Sequence, residues 1–187
     1  MPTAAYDPRD EMVVVLTGDI PEAAKTPSTQ PAIYQLVGES FERTLFAVQV
    51  GRTVRLVNKG RDSPNLRSKQ IASVAKSCSP LNPDVNCDFK LSKNLEVVDI
   101  RAQGNPHLHG RVVGFEHSLF AQVNKAGNYK IEDVPPGQWK VRIWYDGRWL
   151  GEAEKPVRVP KRRGRHDKPV KGPTYQLPND FAKKPGK

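Results

Sequence analysis

Two histidines one residue apart, His107 and His109, with a third at His117, come nearest to a chemical constellation in this sequence. On an extended stretch an H-x-H pair projects from one face, and three imidazoles could bind copper or zinc. Their surroundings favour plain surface or interface histidines instead. No cysteine, methionine or carboxylate lies beside the pair, and Glu116 is the only nearby acid. Asp62 beside Ser63, and Asp99, are isolated carboxylates in loop-like stretches, where Asp ordinarily forms turns. There is no Gly-rich phosphate loop, no G-x-S-x-G and no zinc-finger spacing. Neither an enzymatic activity nor a cofactor is expected.

Cys78 and Cys87 flank the loop SPLNPDVN. In an oxidising compartment they could close a ring worth roughly 2–3 kcal/mol in the chain-entropy model; the other reading is two free thiols, and two cysteines alone do not fix the compartment. Trp139, Trp144, Tyr145 and Trp149 interleave with Lys140, Arg142 and Arg148, the composition of a stacking surface for nucleic acid or glycan. Alternation puts Trp139 and Tyr145 on the apolar face with Val141 and Ile143. Trp144 falls on the charged face and is the candidate for a contact.

The chain of 187 residues is long enough to bury a core, and its 30 Lys and Arg against 20 Asp and Glu give a formal charge of +10. Such a balance favours acidic partners. Ten of the basic residues, against two Asp, fall between Arg158 and Lys187. Residues 161–187 have few large apolar side chains and should stay extended until bound. Arg158, Lys161, Arg162, Arg163, Arg165, Lys183 and Lys184, with Tyr175 and Phe181 as anchors and Trp144 on the body, are the partner-binding candidates. The longest apolar run, Met12 to Leu16, is too short to span a bilayer. Charged residues from Asp7 to Glu11 interrupt any secretory leader, so the protein is cytosolic or the numbering describes a processed chain.

Seventeen prolines and fourteen glycines imply many turns and few long helices. Strands are expected at Met12–Leu16, Ile33–Val37, Thr44–Val50, Thr53–Asn58, Phe89–Leu91, Leu95–Ile100, Gly110–Phe115, Leu119–Val123, Tyr129–Ile131, Gln138–Tyr145 and Val157–Val159. Ala24 to Pro31 reads as a loop, and Lys69 to Lys76 as one short helical turn or an irregular crossing. Asp146-Gly147 is the strongest hairpin signal. Strands at this spacing argue for an all-β sandwich.

The order of signals from Ile33 onward resembles bacterial cupredoxin-like proteins of the methylamine-utilisation and plastocyanin-like type, which carry a carboxypeptidase-regulatory-like β segment after the copper loop. The resemblance is carried by Ile33 and Gln35, FERTLFAVQVG, Val54 to Asn58, and Asn65 with Ser68. Further on it is carried by Gly110, Val112-Val113, His117 to Ala121, Gly127 to Tyr129, Val134 to Gly137 and Val141 to Trp144. It implies a Greek-key cupredoxin-like β-sandwich over residues 1–114, an appended β-hairpin segment over 115–160, and the extended basic C-terminal tail over 161–187. It also implies where copper ligands would stand. Counting from Asn58 puts Pro64 at the first histidine, and counting back from Gly110 puts Leu108 at the methionine, Asn105 at the second histidine and Ala102 at the cysteine. A type 1 copper site needs two histidines and a cysteine with a weak axial ligand, which these four residues do not supply.

The expectation is therefore a non-enzymatic, copper-less binding or structural subunit of a larger assembly, docking on acidic protein surfaces. The resemblance implies a periplasmic or extracellular location, with a cytoplasmic one left open. Two alternatives are a copper-handling or electron-transfer protein using His107, His109 and His117, and an anionic-polymer binder using Trp144 and the tail. A membrane surface is a further partner to consider; nucleic acid is not expected.

Overall fold

Apolar residues alternating with polar ones between glycine and proline turns fold as strands in the computed structural model, which describes residues 8–152 and 156–160. The strands are β1 (Met12–Thr17), β2 (Ala32–Val37), β3 (Ser40–Phe41), β4 (Leu45–Gln49), β5 (Thr53–Asn58), β6 (Leu66–Arg67) and β7 (Asn86–Lys90). They continue with β8 (Val97–Ala102), β9 (Asn105–Phe115), β10 (Phe120–Gln122), β11 (Gly137–Tyr145), β12 (Arg148–Glu152) and β13 (Val157–Val159). Two short helices, α1 (Glu22–Lys25) and α2 (Ala72–Ser77), interrupt them. No helix among the described residues is long and apolar enough to cross a membrane. The fold is all-β.

The chain divides into two units, residues 20–118 and residues 1–19 with 119–187. In the first, β3-β2-β5-β7 and β4-β9-β8-β6 form two four-stranded sheets. β2 runs parallel to β5 and β4 parallel to β9, and the remaining pairs are antiparallel. Successive strands cross back and forth between the sheets, which makes the unit a sandwich. Both sheets feed one core: Tyr34, Leu36 and Leu56 from one, Leu66, Ile100 and Val112 from the other, each no more than 1% exposed. Burying an aliphatic side chain this fully stabilises by about 1.5–3 kcal/mol.

In the second unit β10-β1-β11-β12 lie in sequence, and β13 pairs with the start of β11. The β11–β12 hairpin turns through Asp146 (φ 45°) and Gly147 (φ 82°), the two positive φ values of a type I′ turn. The strand pairing differs from a division at residue 114. β1 pairs with β11 from Met12↔Tyr145 to Thr17↔Lys140 and with β10 on its other edge. The reason is its uniform apolarity: Met12 to Leu16 are all buried, and a strand apolar on both faces suits a central, covered position.

Three smaller expectations are also corrected. Glu22–Lys25, which overlaps the start of the Ala24–Pro31 stretch read as a loop, forms one turn of helix. Tyr129 to Ile131 forms no strand. β9 starts at Asn105, not Gly110, because His107-Leu108-His109-Gly110 is itself a polar–apolar alternation. The tail beyond Pro160, with Lys161, Arg162, Arg163, Arg165, Tyr175, Phe181, Lys183 and Lys184, lies outside the described residues.

Candidate functional site

At one end of the sandwich the loop after β5 meets the β8–β9 hairpin. Asn58 closes β5 with its side chain buried, and its carboxamide is fully used. Nδ2 donates to the carbonyls of Asp62 (2.7 Å) and Leu81 (2.8 Å), and Oδ1 accepts from the Gly60 amide (2.8 Å). The Pro64 carbonyl accepts from the Leu81 amide at 2.9 Å. Asn65 joins three segments: its carbonyl accepts from the Gln103 amide (2.8 Å) and its Oδ1 from Ser79 Oγ (3.1 Å). A disulfide between Cys78 and Cys87, with Cα atoms 5.4 Å apart, ties the end of α2 to β7. Pro64-Asn65 and Ala102–Asn105 are therefore neighbours, as Leu66↔Ala102 pairing also requires.

The side chains at this end are shaped for packing. Ala102 and Leu108 belong to the buried core with Leu66. Asn105 stands opposite Ala102 across the hairpin, and its Oδ1 accepts from the His107 amide at 3.1 Å. A prolyl ring, a methyl, an isobutyl group and a neutral carboxamide supply neither imidazole nor thiolate, so the residues present do not fit a type 1 copper ion.

The three histidines do not form one site. His107 and His109 lie exposed on the outer face of β9, whereas His117 is buried beyond the strand's other end. Six strand steps from His109 to Phe115 already span about 20 Å. Among the described residues no group of three or more His, Cys, Asp or Glu is placed to hold a metal ion. The copper-handling reading that used these three residues is overturned by that separation. Burial pushes the His117 imidazole below its ordinary range; Lys25 acts in the same direction and Glu116 against it.

Trp144 is also corrected. It is 1% exposed, not on a charged surface. A register shift between Ile143 and Trp144 in the β11–β12 pairing interrupts the simple alternation. Trp139 is buried as expected, its Nε1 donating to the Pro135 carbonyl at 2.9 Å. The cation contact here belongs to a pair that residue spacing had not singled out: the Arg142 guanidinium lies 4.2 Å from the Trp149 ring centroid.

Sequence reasoning also missed a basic row on the outer face of the β4-β9-β8-β6 sheet. Arg67 on β6 stands opposite Arg101 on β8, and Arg101 opposite His109 on β9. All three are exposed, while their chain neighbours Leu66, Ala102 and Leu108 point into the core. Only the strand register brings them together. Arg158, a partner-binding candidate just before the tail, is exposed on β13.

No protein-family model matches the sequence, and no curated protein does. Solved structures of amicyanin are similar to part of the chain. The reduced form of a tryptophan-to-tyrosine variant and the oxidised form of a proline-to-alanine variant are each 17% identical, with TM-scores of 0.37. An oxidised methionine-to-leucine variant is 15% identical, with a TM-score of 0.36. Each match covers 54% of this chain and 97% of the amicyanin chain. Similarity at this level leaves the site and the function to be argued from the chain's own residues.

Proposed function

We propose that this chain is a non-enzymatic, copper-less cupredoxin-like subunit that acts by docking to an acidic partner protein within a larger assembly. One observation carries the reading. The two loops where such a fold would hold copper are joined through Asn65, Gln103 and Ser79, yet Ala102 and Leu108 between them are core residues. A scaffold that lacks the chemistry of its site acts through its surface, and the formal charge of +10 points to an acidic counterpart. The strands of residues 119–160 are read as the carboxypeptidase-regulatory-like segment, and Arg158 with the basic residues after it as an arm that contacts the acidic partner. The Cys78–Cys87 disulfide supports an extracytoplasmic location. With Trp144 buried, the polymer-binding alternative loses the one aromatic contact proposed for it.

The test is purification of the untagged protein from its own cells, with size and metal content measured together. The expected result is a stoichiometric complex with an acidic protein and no copper. A lone monomer, or one copper per chain with a thiolate or imidazole charge-transfer band, overturns the reading. The register behind it has its own check. Pro64→His, Ala102→Cys, Asn105→His and Leu108→Met made together should bind copper with thiolate colour; a folded but colourless product in excess copper counts against the register.

A further inference from the structure

We infer that the outer face of the sheet formed by β4, β9, β8 and β6, centred on Arg67, Arg101 and His109, is the docking surface for a carboxylate-rich segment of a partner protein. The inference rests on the subunit reading above and gives it a place. The three residues cross three adjacent strands in register, which sets their Cβ atoms about 5 Å apart in each step. The row is therefore about 10 Å long and points one way.

Among the described residues no carboxylate is paired with Arg67 or Arg101. The ion pairs Lys25–Glu22, Arg55–Asp88, Lys59–Asp84 and Lys130–Glu132 lie elsewhere and involve neither Arg67 nor Arg101. Asp99, two residues before Arg101 on the same face, stands opposite Arg111 and accepts a hydrogen bond from Gln70 Nε2. The other sheet shows what compensation looks like. There Arg55 stands opposite Asp88 and donates to both its carboxylate oxygens, at 2.8 and 2.6 Å. The same cross-strand geometry thus holds an arginine with its carboxylate on one face and two arginines facing each other on the other. Like charges directly opposite destabilise a sheet, and a carboxylate from outside removes that cost through the fork geometry guanidinium favours.

The occupant follows from charge and from the surrounding surface. Residues 161–187 carry nine Lys and Arg against two Asp, the wrong sign to cover this face. A single-stranded nucleic acid needs aromatic stacking partners beside its basic groove. The exposed large apolar side chains among the described residues are Ile33, Val37 and Val85, none of them aromatic. A short acidic peptide segment fits what remains.

The experiment uses the full chain and a fluorescein-labelled glutamate decapeptide, read by anisotropy at low salt and by amide hydrogen exchange. Arg67→Ser, Arg101→Ser and His109→Ser together should weaken binding by about tenfold or more. Removing comparable charge elsewhere on the body, from the exposed Lys90, Lys93 and Lys125 by Lys90→Ser, Lys93→Ser and Lys125→Ser, should weaken it by less than about threefold. Bound peptide should slow exchange at residues 66–69, 99–103 and 107–111. The face variant should melt no lower than the wild type, because it removes a repulsion; an Arg101 present for stability would show the opposite. No binding by the wild type, equal losses in the two variants, or protection confined to residues 161–187 overturns the inference. So does tighter, equally Arg101-dependent binding of a heparin fragment or an oligothymidylate, which would assign the face to a polymer. A native partner that stays bound to the face variant overturns this location and leaves the subunit reading standing. A native partner that never appears overturns the subunit reading itself.

Discussion

Replacing Gly110 by alanine puts a single methyl group where the sandwich has no room for one. Its Cβ would fall on the Tyr34 hydroxyl and 2.7 Å from the Phe41 ring. Neither ring is free to move away. Tyr34 is fully buried, stacked between Phe41 (centroids 4.6 Å apart) and Phe46 (4.7 Å), with its hydroxyl donating to the Arg43 carbonyl at 2.7 Å. Gly110 is therefore glycine for space, not for backbone freedom. The strand gains about 0.5–1 kcal/mol from losing a glycine. Overpacking costs about 1–3 kcal/mol, and a displaced Tyr34 forfeits a hydrogen bond worth about 1 kcal/mol. The net is a destabilisation of about 2 kcal/mol. Tryptophan fluorescence is the wrong assay, since Trp139, Trp144 and Trp149 all lie in the other unit. Urea unfolding followed by far-ultraviolet circular dichroism, with amide exchange at Val112 and Val113, reads the correct unit. Tyr34→Phe alone should cost about 1 kcal/mol, and less in the Gly110→Ala background, where the bond is already strained or broken. A Gly110→Ala protein within about 0.5 kcal/mol of wild type, or costs that simply add, refutes the steric argument.

Three other perturbations follow from the same loops. Cys78→Ala with Cys87→Ala should cost about 2–3 kcal/mol, given the separation of 9 residues; reductant should shift the urea midpoint of the wild type but not of the variant. Asn58→Ala strips hydrogen bonds from the Asp62 and Leu81 carbonyls and the Gly60 amide. It should cost about 2–3 kcal/mol, with faster exchange at Gly60; a change below about 0.5 kcal/mol would show that water replaces the carboxamide. His117 has a folded pKa below its unfolded one. As pH falls through about 6.5 the unfolded chain takes up the proton first, so stability drops on the acid side and is regained above it. His117→Leu should flatten that limb between about pH 7.5 and 5, measured as urea midpoint against pH; an unchanged slope refutes the assignment.

Strand positions were legible where one face alternates, as in β2 and β5, because burial on a pleated sheet has a period of two. The Asp146-Gly147 turn was legible because few residue pairs adopt two consecutive positive φ values. The place of β1 was not, since an apolar run announces burial but not its neighbours, and its partners lie about a hundred residues away. Trp144 was misread because a register shift at the Ile143–Trp144 step leaves no mark in composition. The basic row was invisible for a related reason. Arg67, Arg101 and His109 are far apart in sequence, and only the pairing of β6 with β8 and β8 with β9 makes them neighbours. The expectation that Asn58–Ser68 and Asp99–Gly114 belong together rested on family resemblance, and hydrogen bonds between Asn65, Ser79 and Gln103 join them physically.

The pairing of β1 also sets a schedule. Met12 to Thr17 leaves the ribosome well before its partners, which begin at Phe120 and Gly137. At 5–20 residues per second that is a wait of roughly 5–25 seconds. During the wait a strand made of Met-Val-Val-Val-Leu-Thr offers two unpaired edges and two apolar faces, the condition under which strands join the wrong chain. Residues 20–118 need no such delay, since the Ser118 amide donates to the Ala24 carbonyl and brings the two ends of that stretch together. The middle of the molecule can close first, before β1 meets β10 and β11.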